Sequence, residues 1–229
     1  MTAATGRFIT FEGGEGVGKS TNIQHAADWL RGQGIEVVVT REPGGTPIAE
    51  QIRDDLLKAH HDESMAPMTE LLLMFAARAQ HVATVIAPAL KRGAWVLCDR
   101  FTDSTIAYQG YGRGLSLDDI DTLKGLAQGG VEPDMTLLLD APLDVGMGRA
   151  RARAADLNEA TDRFESEQLA FFERVREGFL ALAQQQKHFR LVDATQPLAV
   201  VQQAVIGHIS ALQSQGCASE SQAGGHNDE

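Results

Sequence analysis

Apolar and polar positions along the chain alternate in a way that predicts strands and helices in strict succession. Phe8-Ile9-Thr10-Phe11 is a short apolar run, and Ile23, Ala26, Ala27 and Leu30 then recur at helical spacing until Gly32 and Gly34 interrupt them. Glu36 to Thr40 reads as a buried strand. Thr46-Pro47 opens a helix as N-cap and first-turn proline, with Ile48, Ile52 and Leu56 on one face. Met68 to Arg92 carries a long helical pattern that Pro88 should kink or end early and Gly93 closes. Ala94 to Asp99 is an apolar run ending in a carboxylate. Thr102 to Gly114, polar with tyrosines and glycines, suits a functional loop or a short helix. Ser116 caps a helix bearing Ile120, Leu123 and Leu126, which Gly129-Gly130 ends, and Met135 to Asp140 is a further strand. Leu143, Val145 and Met147 lead into an arginine-rich stretch. Phe164, Phe171, Phe172, Val175, Phe179 and Leu182 describe one long amphipathic helix whose aromatic stripe is most simply core. Phe189 to Asp193 is the last strand, and Val201, Val205, Ile209 and Leu212 mark the helix after Pro197.

Five strand-like runs separated by helices predict an α/β fold, a parallel five-stranded sheet flanked by helices in a three-layer sandwich. A single domain over residues 1–213 suits the length, and from Ser214 the Gln, Ser, Gly and Ala content without apolar period predicts a disordered tail. The net charge of −11 argues against a general nucleic-acid or anionic-membrane surface, so anionic ligands must meet locally concentrated Arg and Lys. Cys98 and Cys217 have no CxxC partner and read as reduced thiols, and His60 and His61 as a solvated connection. Met1 to Arg7 lacks the apolar centre of a signal peptide, and no uninterrupted apolar run approaches about 18 residues. A cytoplasmic protein is the expectation.

Gly13-Gly14-Glu15-Gly16-Val17-Gly18-Lys19-Ser20, followed by Thr21, is a GxxxxGK[ST] sequence set between a strand and a helix, the setting a phosphate-binding loop requires. Its backbone N–H groups converge on phosphate oxygens, the helix adds its positive end, and Lys19 reaches the β/γ oxygens. Ser20 would then hold Mg²⁺. Asp99, at the carboxyl end of a buried strand, stands where such a nucleotide enzyme places its second metal-shell group. The fold expected is therefore of the P-loop NTPase type. No NKxD guanine reader is present, which disfavours a GTPase. Arg149, Arg151 and Arg153, with Asp156, Glu159 and Arg163 nearby, suggest a lid over about 149–163 that brings guanidinium groups onto transferring phosphates.

The chain resembles the bacterial thymidylate kinases, nucleoside monophosphate kinases that make dTDP from dTMP and ATP. The resemblance runs from about Arg7 to about Leu212. It rests on Glu12 to Thr21, Thr40-Arg41-Glu42-Pro43-Gly44-Gly45-Thr46, Phe75-Ala76-Ala77-Arg78, Asp99-Arg100-Phe101, Ala107-Tyr108-Gln109-Gly110, the Arg lid with Asp162-Arg163-Phe164-Glu165, and Asp193-Ala194-Thr195.

The resemblance implies that Gly13 to Thr21 bind ATP and that Arg41 and Arg100 hold the acceptor phosphate. Glu15 would approach the sugar 3′-hydroxyl and Arg53 line the same pocket. Arg78 would donate to a thymine carbonyl, Thr105 and Gln109 would meet the polar edge of the base, and Tyr108 would crowd the 2′ position. Lys19, Arg41, Arg100, Arg149, Arg151 and Arg153 would carry the charge of phosphoryl transfer. In many relatives a ring stacks on the base four residues before the base-reading Arg. Here that position is Met74, with Phe75 one step on, and either could pack there. The resemblance further implies Mg²⁺, a homodimer packed through helices, and partners that are small nucleotides, with no nucleic acid and no membrane.

Overall fold

The computed structural model describes residues 6–59, 62–157 and 168–223, with the side chains of 153–157 and 215–223 outside that set. His60, His61, Glu159, Asp162, Arg163, Phe164 and Glu165 therefore lie outside the described residues. So do the side chains of Arg153, Asp156 and Cys217.

Strand β1 (Phe8–Glu12) leads through the glycine-rich loop to helix α1 (Lys19–Gly32), then β2 (Val37–Arg41) and α2 (Pro47–Gln51). Thr46 caps α2, its Oγ1 accepting from the Ala49 N–H at 3.1 Å, and the helix continues as a wide π-helical turn over Ile52–Lys58. Next come α3 (Pro67–His81), a π-helical turn Val82–Ile86 and α4 (Ala87–Lys91), which together form one 25-residue helix. Pro88 does not end it. The widened turn immediately before it is where the missing N–H of Pro88 interrupts the usual ladder. This helix reaches a mean hydropathy of 1.4 over 18 residues, enough by length and composition to cross a membrane, although the sequence shows no uninterrupted apolar run. Its buried Glu70, Arg78 and His81 bond to other elements of the domain, as in a core helix.

After β3 (Trp95–Asp99) the stretch expected to be a loop or a short helix is helical as far as Gly112, α5 (Thr102–Thr105) running into a π-helical turn Ile106–Gly112. It is packed inside the domain, with Thr105, Tyr108 and Gln109 all buried. Helix α6 (Leu117–Gln128), capped by Ser116, precedes β4 (Met135–Asp140), α7 (Leu143–Leu157), α8 (Leu169–Gln185), β5 (Phe189–Asp193) and α9 (Leu198–Ala223). Helix α9 passes Ser214, where a disordered tail was expected. Val201, Val205 and Ile209 anchor its first half in the core.

The five strands are parallel, in the order β2-β3-β1-β4-β5. Both faces of the central strands β1, β3 and β4 are covered, as near-continuous apolar strands require, whereas β2, expected to be buried, and β5 are edge strands and partly exposed. Ile9, Phe11, Leu97, Leu137 and Leu139 face α1 and α9, whereas Phe8, Val96 and Cys98 pack with Ile86 and Ala89 of the long helix. Leu138 meets the aromatic face of α8. The register aligns Phe11 and Arg41 with Asp99, and Asp140 with Asp193. One sheet edge thus collects the loop after β1, Arg41 after β2 and Asp99-Arg100 after β3.

Candidate active site

The loop between β1 and α1 adopts conformations that side chains other than glycine rarely take. Gly13 has φ 129° and Gly16 φ 70°, and a Cβ at either would fall about 2 Å from a carbonyl oxygen, that of Leu139 or of Gly146. With α1 beginning at Lys19, its unpaired N–H groups open onto this loop. Lys19 is buried and folds back over the loop, donating from Nζ to the carbonyl of Gly14 at 2.8 Å and of Gly13 at 3.3 Å. Burial, then the charge of Arg100, lowers its pKa, against the pull of Glu15, Asp99 and Glu12.

Beside the loop lies a cavity of about 370 Å³ lined by Glu15, Lys19, Ser20, Arg41, Arg53, Met74, Arg78, Asp99, Arg100, Thr105, Tyr108 and Gln109. Residues scattered from position 15 to position 109 thus share one wall system. Phe75 does not join them: it is buried in a cluster with Leu71 and Ile120, its ring 4.8 Å beneath the Arg78 guanidinium. Of the two candidates for packing on a base, Met74 faces the cavity and Phe75 the core. The difference follows from one step along α3, about 100° of rotation.

Arg100 joins the two regions. Nη1 donates to the Gly13 carbonyl at 2.9 Å and Ser104 Oγ at 3.1 Å, while Nη2 donates to Glu15 Oε1 at 2.6 Å and the Tyr108 hydroxyl at 3.2 Å. Burial opposes its charge, but Tyr108, Glu15, Asp99 and Glu12 together raise its pKa. Arg41 is more exposed and paired with Glu50 at 2.8 Å, a bond that raises its pKa. Arg53 donates to the Pro43 carbonyl at 2.7 Å, and burial followed by the charge of Arg41 lowers its pKa. Ser20 Oγ and Asp99 Oδ2 stand 3.4 Å apart at the rim, hard oxygen donors suited to Mg²⁺.

Several supporting groups escaped the sequence reading. Arg78 Nε donates to Glu42 Oε2 at 2.7 Å and its Nη2 to Thr105 Oγ1 at 2.9 Å. The other Glu42 oxygen meets His81 Nδ1 at 2.9 Å, and His81 Nε2 meets Thr40 Oγ1 at 2.7 Å. His81 lies three residues after Arg78 on one helix, so the i,i+3 spacing was a usable signal. Glu12, fully buried, accepts from the Phe101 N–H at 2.7 Å and Ser104 Oγ at 2.5 Å. Burial, reinforced by the charge of Asp103, pushes its pKa up to about 8. Asp103, accepting from Thr136 Oγ1 at 3.0 Å, is itself pushed up to about 6 by burial.

The lid arginines are not all gathered at this cavity. Arg149 Nη1 donates to the Ala194 carbonyl at 2.7 Å, tying α7 to the turn after β5. Arg151 instead lines a second, mainly apolar cavity of about 160 Å³ with Met147, Val175 and Arg176, which meets the glycine-rich loop at Gly13, Gly14 and Glu15 and shares Tyr108 and Phe172 with the first. Their divergence follows from the two-residue spacing on a helix.

A glycine-rich loop at a helix N-terminus and an adjoining cavity lined by guanidinium groups share a wall, an arrangement suited to phosphoryl transfer between nucleotides. They place the chain among the P-loop nucleoside monophosphate kinases. The family model for thymidylate kinase matches residues 11–205. A thymidylate kinase of Pseudomonas fluorescens Pf-5 is 61% identical over 202 residues, covering 88% of this chain and 93% of its own. One of Chromohalobacter salexigens is 55% identical over 206 residues, covering 90% and 95%. The crystal structure of thymidylate kinase from Ehrlichia chaffeensis superposes with a TM-score of 0.70 at 35% identity, covering 90% of this chain and 99% of that one. The chain belongs to the thymidylate kinase family.

Glu12 and Asp103 also set a pH dependence. Both pKa values are raised on folding, so the folded state binds more protons. Their contribution is complete below the ordinary carboxylate values and is lost as pH rises through about 6 and about 8. Urea unfolding of the wild type should therefore show stability declining from pH 5 to pH 8, with a shallower decline in Glu12→Gln. Equal slopes would contradict the buried-proton account.

Proposed function

We propose that the chain transfers the γ-phosphoryl group of ATP to dTMP, giving ADP and dTDP in the cytoplasm for dTTP synthesis. The observation that carries this reading is electrostatic. Lys19, Arg41, Arg53 and Arg100 line one cavity, and the pKa of Lys19 is lowered in part by Arg100, that of Arg53 in part by Arg41. These cations, with the loop amides, are the groups on this wall able to pair with the phosphates of two ligands.

In this mechanism the amides of Gly13 to Thr21 and Lys19 hold the ATP phosphates. Arg41, Arg53 and Arg100 orient the dTMP phosphate. An oxygen of that phosphate forms the new bond to the γ-phosphorus as the bond to the β–γ bridging oxygen breaks, and ADP leaves with the electron pair. The acceptor is already an anion, so no protein base is needed, and the work left to the protein is alignment and charge. Ser20 and Asp99 would hold Mg²⁺, which supplies charge neutralisation at the phosphates. Among the described residues no group of three or more His, Cys, Asp or Glu side chains could hold a metal ion, so the remaining ligands would be phosphate and water oxygens. Arg78, Thr105 and Gln109 would read the base, Met74 pack on it, and Tyr108, bonded to Arg100, restrict the sugar.

The proposed dimer is supported by one face of α3. Met68 and Leu72 are 39% and 49% exposed, and Ala76 and Ala83 continue the exposed stripe at helical spacing. Sedimentation velocity should find the wild type as a dimer and Leu72→Glu shifted toward monomer; a wild-type monomer would rule the dimer out.

ADP release in a coupled assay, with ATP, Mg²⁺ and dTMP, dUMP, CMP, GMP or thymidine, tests the reaction itself. Turnover should be fastest with dTMP. Lys19→Ala should lower kcat about a hundredfold or more while dTMP affinity stays near wild type. Normal turnover in that variant would refute the role of Lys19, and a preference for another acceptor would refute the substrate.

A further inference from the structure

Gln109 lines the acceptor cavity, and its side-chain amide has one donating and one accepting end. Which end meets a ligand depends on what holds the other. Here Nε2 donates to Glu70 Oε1 at 2.8 Å, and Glu70 is almost completely buried behind Gln109 without itself lining the cavity. Arg113 approaches the same carboxylate, Nε at 3.3 Å from Oε1 and Nη2 at 3.2 Å from Oε2. A carboxylate in an ion pair with arginine accepts hydrogen bonds and cannot donate them. The amide N–H₂ is therefore drawn toward Glu70, and the carbonyl oxygen is the end left for the cavity.

Arg78 supplies the complementary half. With Nε on Glu42 and Nη2 on Thr105, its Nη1 is buried with no hydrogen-bond partner, an orphan donor on a side chain that lines the same cavity. A guanidinium carries N–H donors and no acceptor, so a ligand that meets this side chain must accept. A guanidinium donor and an amide acceptor match the C4 carbonyl and N3–H of a pyrimidine-2,4-dione. A 4-aminopyrimidine presents the reverse pattern, a donating amino group and an accepting N3, and meets donor with donor and acceptor with acceptor.

We propose that Glu70 is a positioning residue that fixes the orientation of the Gln109 amide and so sets rejection of 4-aminopyrimidine nucleotides. This rests on dTMP being the acceptor. In Glu70→Gln the new amide can accept from or donate to Gln109, so both orientations become available and cytosine is no longer mismatched at that contact.

The test compares kcat/KM for dTMP and dCMP in the wild type, Glu70→Gln and Arg113→Lys. Glu70→Gln should lower the dTMP/dCMP ratio by about tenfold or more, since it removes a hydrogen-bond mismatch of the kind on which such discrimination depends. The change should lie in KM, rising for dTMP and falling for dCMP. Arg113→Lys leaves the carboxylate in place as acceptor and should keep the wild-type ratio even if it lowers Tm. An unchanged ratio in Glu70→Gln overturns the role of Glu70, while absence of wild-type dTMP turnover overturns the substrate reading with it. Should Glu70→Gln fail to fold, NMR of the wild type decides. The Gln109 side-chain N–H₂ signal, assigned by its loss in Gln109→Leu, should keep its shift and slow exchange when dTMP is added. A signal that moves on binding, with altered exchange, shows the amide donating to the base and overturns the proposal.

Discussion

Arg100 is held between the glycine-rich loop and the neighbouring cavity, and the surrounding polar groups are arranged to keep it there. It is the one non-glycine residue with positive φ among those described, at 67°, a conformation that costs an L-residue on the order of 1 kcal/mol. That backbone turn comes directly after β3, whose Asp99 stands opposite both Phe11 and Arg41 in the sheet. The guanidinium is thereby drawn across the end of β1 to the Gly13 carbonyl and the Glu15 carboxylate. One side chain belongs at once to the phosphate loop and to the wall of the acceptor cavity.

Behind it lies a layer of buried polar contacts that makes this placement rigid. Glu12 fixes the Phe101 N–H and Ser104, and Ser104 in turn accepts from Arg100. Glu42 bridges Arg78 and His81, and Glu70 bridges Gln109 and Arg113. Arg78 and Glu42 form a buried ion pair, and removing one partner of such a pair costs about 3–5 kcal/mol because the other is left charged and dry. The carboxylates behind the cavity therefore aim the donors in front of it, and this preorganisation lets the site act through charge and alignment.

The five strands and their parallel pairing were legible because the central strands are apolar and the separating glycines are local signals, whereas the order β2-β3-β1-β4-β5 is set by packing. That Lys19, Ser20 and Asp99 lie together was legible from the loop motif and its strand context. Other features depended on tertiary geometry. Nothing in the periodicity marks the π-helical turns that carry Arg53 and Tyr108. Met74 and Phe75 are adjacent apolar residues, and only the rotation of α3 assigns one to the cavity and the other to the core. Glu70, Glu42 and Glu12 look like ordinary solvated acids in sequence, since burial is set by elements far along the chain. Pro88 was read by local propensity, and there an already established helix carried through with a widened turn before it.

The central claim is that the Arg100 guanidinium grips the acceptor phosphate while remaining anchored to the phosphate loop. Calorimetric titration of dTMP into wild type and Arg100→Met, with Tm and ATP affinity measured alongside, tests it most directly. Loss of a buried, charge-assisted contact predicts dTMP binding weakened by about thirtyfold or more in a protein that still folds and binds ATP. Unchanged dTMP affinity in such a folded variant would contradict the account.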